Sequence, residues 1–180
     1  MKVSESKLKD VLVFEPTVFG DSRGYFLESY NKGRYQDYLG DTEFVQDNES
    51  LSSKGVIRGL HFQKNPFAQG KLVRVIKGAV MDVIVDIRPN SKTYGKIDYF
   101  HLTEANQKQV YIPVGFAHGF ETLEDHTIFS YKCTNYYNKD SEGSLYWNDP
   151  DLNIPWKSSD PIISEKDKIQ NFFKDFNSPF

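Results

Sequence analysis

Two arginines, one histidine, two glutamines and two lysines lie within the twenty residues Gly55-Val-Ile-Arg-Gly-Leu-His-Phe-Gln-Lys-Asn-Pro-Phe-Ala-Gln-Gly-Lys-Leu-Val-Arg74, which are otherwise apolar or turn-forming. An imidazole is the side chain best matched to proton transfer near neutral pH, and arginine and lysine are the groups that meet anions. In a strand, alternate side chains point to opposite faces, so Arg58 and His61 serve one pocket only if the chain bends or bulges at Gly59. In the next run Lys71, Val73 and Val75 share one face, and Leu72, Arg74 and Ile76 the other. A charge that faces a core is costly unless it is paired or meets a charged ligand. Two basic strands joined by a turn therefore suggest the floor of an anion site, against the plainer alternative of a basic hairpin on a wet face.

Short strands carry most of these residues. Val11–Phe14, Tyr25–Tyr30, Leu72–Lys77, Ala79–Ile87, Lys96–Leu102, Gln109–Ile112, Gly115–Leu123, Ile128–Cys133 and Ser144–Trp147 read as strands, punctuated by Gly, Pro, Asn and Asp. Phe44–Ser53 is polar and ends in a turn at Lys54-Gly55. Asn31–Leu39 is expected to be a short helix ended by Gly40, and the tail a helix-like run from Ser164 or Glu165 to Phe173. In Ala79–Ile87, Asp82, Ile84 and Asp86 share a face opposite Met81, Val83, Val85 and Ile87. That face is expected to be the more polar one, with the two aspartates paired to basic neighbours; Arg74 is the candidate partner. About ten short antiparallel strands in one chain suit a double-sheet jelly roll, a β-sandwich or barrel with short peripheral helices, and its mouth is a natural ligand site.

Composition narrows the classes. The chain has 180 residues, the span of one domain with a sizeable core, 1–180. Its 14 Phe, 11 Tyr and 2 Trp favour β structure. A net charge of -3 gives no general reason to expect nucleic-acid binding, so an anion must be met locally. Cys133 is alone, which excludes an intrachain disulfide and disfavours a secreted scaffold. No signal-peptide core precedes the first strand and no apolar run reaches membrane length, so no membrane contact and a cytoplasmic setting are expected.

Pro113-Val-Gly-Phe-Ala-His118 resembles the second motif of the cupins, a jelly-roll superfamily in which that histidine often binds metal. The first metal-cupin motif would fall at Leu60-His-Phe-Gln63, where the second histidine is absent and no carboxylate follows. No metal is expected, because His61 and His118 alone fall short of three ligands. His101 and His126 read as surface or structural histidines.

A longer set of motifs resembles the dTDP-4-dehydrorhamnose 3,5-epimerase family. It comprises Phe19–Glu28, Gln46-Asp-Asn48, Gly55–Gln63, Ala68–Val75, Val85–Arg88, Ile112–Phe120, Tyr131-Lys132 and Trp147–Pro150, in the family's order across nearly the whole chain. The resemblance implies an isomerase that converts dTDP-4-dehydro-6-deoxy-D-glucose to dTDP-4-dehydro-L-rhamnose without a cofactor, for L-rhamnose in cell-surface polysaccharide. The C4 ketone acidifies the hydrogens at C3 and C5, so inversion needs a base, an acid on the opposite face and a stabiliser for the enolate oxygen.

The same resemblance distributes the roles. His61 matches the base, Asp167 the carboxylate that orients it, Tyr131 the acid and Lys71 the cation beside the C4 oxygen. Arg23, Gln46, Asp47, Asn48, Arg58 and His118 match residues that hold diphosphate and sugar, with Glu28 near the nucleoside and Glu142 and Lys166 at further nucleotide positions. Lys166 stands where some relatives carry arginine, which loses the planar fork. The Arg23 segment is a strand exchanged between subunits in this family, which implies a homodimer. Three rivals remain at this level: a monofunctional 3- or 5-epimerase of a related nucleotide 4-keto-6-deoxysugar, a metal-dependent cupin enzyme, and a non-catalytic sugar-nucleotide binder.

Overall fold

The computed structural model describes residues 1–180. In chain order the elements are β1 (Lys2–Glu5), β2 (Leu12–Glu15), β3 (Val18–Asp21), β4 (Gly24–Leu27), α1 (Lys32–Leu39), β5 (Gln46–Ser52), β6 (Val56–Gln63) and β7 (Lys71–Lys77). They continue with β8 (Ala79–Asp86), β9 (Ile97–Thr103), β10 (Gln109–Ile112), β11 (Phe116–Thr122), β12 (Thr127–Cys133), β13 (Glu142–Ser144) and β14 (Ile162–Ile163). One sheet runs β1-β2-β10-β7-β12-β5, the second runs β13-β6-β11-β8-β9, and the β3–β4 hairpin belongs to neither. Every pairing between these strands is antiparallel except the short parallel one of β14 with β6. This is the double-sheet architecture expected from the turn-rich, alternating sequence.

Alternation explains why the two sheets stack. Val73 and Val75 of β7, Val80 and Ile84 of β8, and Phe116 and Phe120 of β11 meet Phe129 of β12 in the core between the sheets. Each such side chain removed from water contributes about 1.5–3 kcal/mol. The outer faces are covered as well. Met81, Val83, Val85 and Ile87 lie under the C-terminal tail with Leu145, Leu152, Phe173 and Phe176. Leu72 lies under α1 with Phe14 and Tyr35.

Double coverage corrects the expectation for β8. Asp82 and Asp86 are fully buried, and the Asp82 side is the inter-sheet side, not a wet one. Asp86 is paired with Arg88, at 2.8 Å, and Asp82 is hydrogen-bonded to His118. Arg74 reaches neither, because β7 turns it to the outer side of the first sheet with Leu72.

The N-terminus of α1 is capped by Asn31, whose side chain accepts from the Arg34 N–H, and Gly40 at φ 59° ends it. Two other expectations change. The polar run read as turn-bound is largely strand β5, which tolerates polar side chains because it is an edge strand. The tail forms no α-helix. Residues 165–168 form a turn, Asn171 makes a bridge to Leu145, and only Phe173–Asp175 makes a short 3-10 turn. Tertiary pairing along β6 and Leu145 has overridden a weak local helical preference. The last strand expected, at Ser144–Trp147, lies instead at Glu142–Ser144, and the N-terminal edge strand β1 carried too little apolar pattern to be read.

Candidate active site

Gly59 is the bend that the sequence required. Its φ is 140°, and a Cβ there would lie 2.5 Å from Gly119 Cα, so only glycine fits where β6 crosses β11. The β6–β11 register shifts between His118 and Phe120, opposite this point. As a result Arg58 and His61 line the same cleft of about 590 Å³.

The cleft lies between the two sheets. β6 and β11 of the second sheet contribute Arg58, His61 and His118; β7 and β12 of the first contribute Lys71 and Tyr131. The segment after β14 adds Lys166 and Asp167. A smaller space of about 180 Å³ shares His61, Lys71 and Tyr131 and extends the site to Gln46, Asn48 and Glu142.

His61 Nε2 is 2.6 Å from Asp167 Oδ1. Burial alone would raise the Asp167 carboxyl, but the hydrogen bond and electrostatic attraction of the His61 ring, with hydrogen bonds from Ser164 and Gly59, hold it below its ordinary value. An ionised carboxylate only accepts, so Nε2 is the donor in this contact, and in the neutral ring Nδ1 is then the acceptor. On the opposite sheet, burial raises the Tyr131 phenol above its ordinary value, with Cys133 adding to the effect and Arg58 opposing it. Tyr131 is thereby kept as a proton donor. Burial pushes the Lys71 ammonium below its ordinary value, against the pull of Cys133, Asp82 and Glu142, and Lys71 Nζ lies 5.7 Å from the Tyr131 ring centre.

The remaining sequence candidates divide. Arg58 donates through Nε and Nη2 to Ser52 Oγ at 3.3 Å, and Gln46 donates to Asn48 at 3.1 Å. Lys166 and Glu142 form an ion pair of 2.5 Å at the cleft's rim. His118 is buried with its Nε2 2.7 Å from Asp82 Oδ1, and burial lowers its pKa against the effect of Asp82. Three candidates are not brought to the cleft. Asp47 alternates to the far face of β5 and pairs with Lys132 at 3.0 Å. Arg23 sits at the tip of the β3–β4 hairpin, bound to Asp21, and Glu28 pairs with Arg34 at 3.3 Å. His101 and His126 are exposed and lie outside both spaces, and no three His, Cys, Asp or Glu side chains group as metal ligands.

Two residues of the site were missed. Asp82 is buried beneath it, and its Oδ2 has no hydrogen-bond partner within the protein. The sign available in the sequence was that both faces of Ala79–Ile87 could be interior. Tyr137 lines the smaller space and donates to Glu142 at 3.3 Å; nothing distinguished it from the other tyrosines of the chain.

This arrangement can take a proton from one face of a bound molecule, return one from the other and stabilise an oxyanion between them. Comparison with known proteins points the same way. The profile of the dTDP-4-dehydrorhamnose 3,5-epimerase family matches residues 5–175. The enzyme of that name from Escherichia coli K12 is 51% identical over 170 residues, 93% of this chain and 92% of that protein. The crystal structure of the Elizabethkingia anophelis enzyme superposes with a TM-score of 0.92 at 51% identity, over 97% of each chain. That of the Bacillus anthracis enzyme, with TDP and pyrophosphate bound, superposes at 0.93 with 48% identity, over 96% of this chain and 99% of that one.

Proposed function

The chain belongs to the dTDP-4-dehydrorhamnose 3,5-epimerase family, an isomerase of dTDP-rhamnose biosynthesis, and we propose that it carries out the reaction with His61 as base, Tyr131 as acid and Lys71 as the enolate's counter-charge. The observation that carries this assignment is the placement of His61 and Asp167 on one sheet's side of the cleft, with Tyr131 and Lys71 on the other.

The substrate's C4 ketone makes the neighbouring C–H bonds acidic enough for an imidazole base. His61 removes the proton from C5 or C3, and Asp167 offsets the imidazolium charge that forms. Lys71 stabilises the C4 oxyanion; its partial desolvation strengthens that interaction. Tyr131 protonates the carbanion from the opposite face, which inverts the centre. Arg58, with Lys166 and the amides of Gln46 and Asn48, holds the diphosphate and sugar, in keeping with the TDP bound by the Bacillus anthracis relative. The product serves cell-surface polysaccharide, and the enzyme works in the cytoplasm; no helix of the chain is long and apolar enough to cross a membrane.

The active species is a homodimer. The β3–β4 hairpin supports this, because Phe19 and Phe26 are 62% and 70% exposed on it and Arg23 stands at its tip, away from the cleft of its own chain. A second copy would cover the aromatics and accept Arg23 and Glu28 at its site. Light scattering that finds only a monomer at working concentration would overturn this part.

The reaction is tested by incubation with dTDP-4-dehydro-6-deoxyglucose in deuterated water and following label at each carbon. Label at C3 and C5 is expected. Label at one carbon alone would move the protein to the monofunctional epimerases, and label at neither to a binder.

A further inference from the structure

Asp167 reaches His61 on a strap, Lys157–Phe173, whose one apolar contact with the core is Phe173 at its far end. Asp167 is the strap's sole buried residue, and Ile162 and Ile169 are 57% and 82% exposed. No α-helix stiffens it, its pairing with β6 lasts two residues, and beyond Asp167 it is tied to the sheet by the Leu145–Asn171 bridge and by Ser144 Oγ donating to Gln170 Oε1 at 2.5 Å. Yet the hydrogen bond to His61 needs a placement good to a few tenths of an ångström.

Two buried carboxyl groups outside the cleft hold the ends of this strap. Glu121 on β11 accepts at both oxygens from backbone N–H groups, Oε2 from Lys157 and Oε1 from Ser158, each at 2.6 Å. Asp149 accepts at Oδ2 from the Phe173 N–H at 2.6 Å, and at Oδ1 from Asp151 and Leu152 at 2.8 and 3.1 Å. Each residue is 2% exposed. Burial of a carboxyl group is costly, and an apolar side chain would fill either place without that cost. What an apolar side chain could not do is fix a backbone by directional bonds. Neither residue lines the cleft.

We propose that Glu121 and Asp149 are positioning residues that clamp the two ends of the strap and thereby hold Asp167 on His61. The proposal rests on the reading of Asp167 as the partner of the base. Release of either end lets the carboxylate drift from the imidazole, and a displacement of about 1 Å at a catalytic group can cost on the order of a hundredfold in rate. Lys166 rides on the same strap, so substrate affinity also weakens, but by less than the turnover.

The test uses the full chain with near-isosteric variants, Glu121→Gln and Asp149→Asn, each alone and combined with Asp167→Asn. Amide hydrogen exchange over residues 157–173 and the rate of deuterium entry at C5 are measured in all of them. Exchange is expected to accelerate in the strap and not in the sheets, and kcat to fall about tenfold to a hundredfold with a smaller rise in KM. Each double variant is expected to be no slower than Asp167→Asn alone, because the clamp acts through Asp167. Unchanged strap exchange would overturn the clamp, and losses that multiply in the double variants would overturn its action through Asp167. If Glu121→Gln does not fold, Asp149→Asn carries the same comparison at the other end. A native rate in Asp167→Asn would refute the role of Asp167 itself, and with it the positioning role; the strap's exchange rates would still report independently whether the clamp exists.

Discussion

His61 Nε2 and Asp167 Oδ1 lie 2.6 Å apart across 106 positions of sequence, the first on a central strand and the second on an exposed strap. Under the proposed assignment the pair makes the histidine a directed base, and its geometry sets out what each partner should do when removed.

With His61 as the proposed base for both centres, His61→Ala is expected to slow deuterium entry at C3 and C5 together, with a fall of about 10²–10⁴-fold in kcat/KM. Asp167→Asn keeps the shape but loses the charge opposite the imidazolium, and should slow both carbons by the same factor. Unequal losses at C3 and C5, read by NMR of recovered sugar, would point to a second base.

Tyr131→Phe should impair completed inversion more than exchange, because proton removal does not require the acid. The raised phenol pKa keeps Tyr131 protonated through neutral and mildly alkaline pH, so the wild type should not lose its acid there. Equal loss of exchange and inversion would count against the role.

Lys71→Met is expected to separate activity from stability. The ammonium is held below its ordinary pKa chiefly by burial, so the fold bears a cost for the charge. Its removal should raise stability by about 0.5–2 kcal/mol. The rate should fall about 10²–10³-fold with loss of the oxyanion's partner. Urea unfolding and single-turnover kinetics on one preparation check both halves, and a variant that is less stable than the wild type would show that Lys71 is structural.

Acid stability should depend on Asp86. Burial would raise this carboxyl, but Arg88, Ser91 and Thr93 hold it down at about 2, below its ordinary value. The folded-state pKa is the lower one, so the stabilisation is present above the unfolded value and disappears as pH falls from about 4 towards about 2. The expected loss over that window is about 1–2 kcal/mol. Asp86→Asn should be destabilised at pH 7 and should show a flatter stability profile between pH 4 and 2; an unchanged profile would assign the acid transition to other groups.

Residue order alone sets which side chains share a face, where most of the strands lie, and that the chain must bend at Gly59 for Arg58 and His61 to serve one pocket. These are local consequences of the two-residue period of a strand and of glycine's freedom, and they needed no knowledge of what lies across the fold. Its motifs also carried the family. The period cannot say which face of β8 is interior, because both faces are buried, so it makes the Asp82 and Asp86 face the more polar one and offers Arg74 as a partner to either. Stacking of the two sheets puts Asp82 beneath the cleft against His118 and turns Arg74 away on the other sheet. The same assembly makes the tail a strap, not a helix. The placement of Asp167 comes from β14 beside β6, from Glu121 and from Asp149, contacts separated by many residues and invisible to any local pattern. Pairing of this kind depends on which segments meet after the sheets have stacked, and that is a property of the assembled fold.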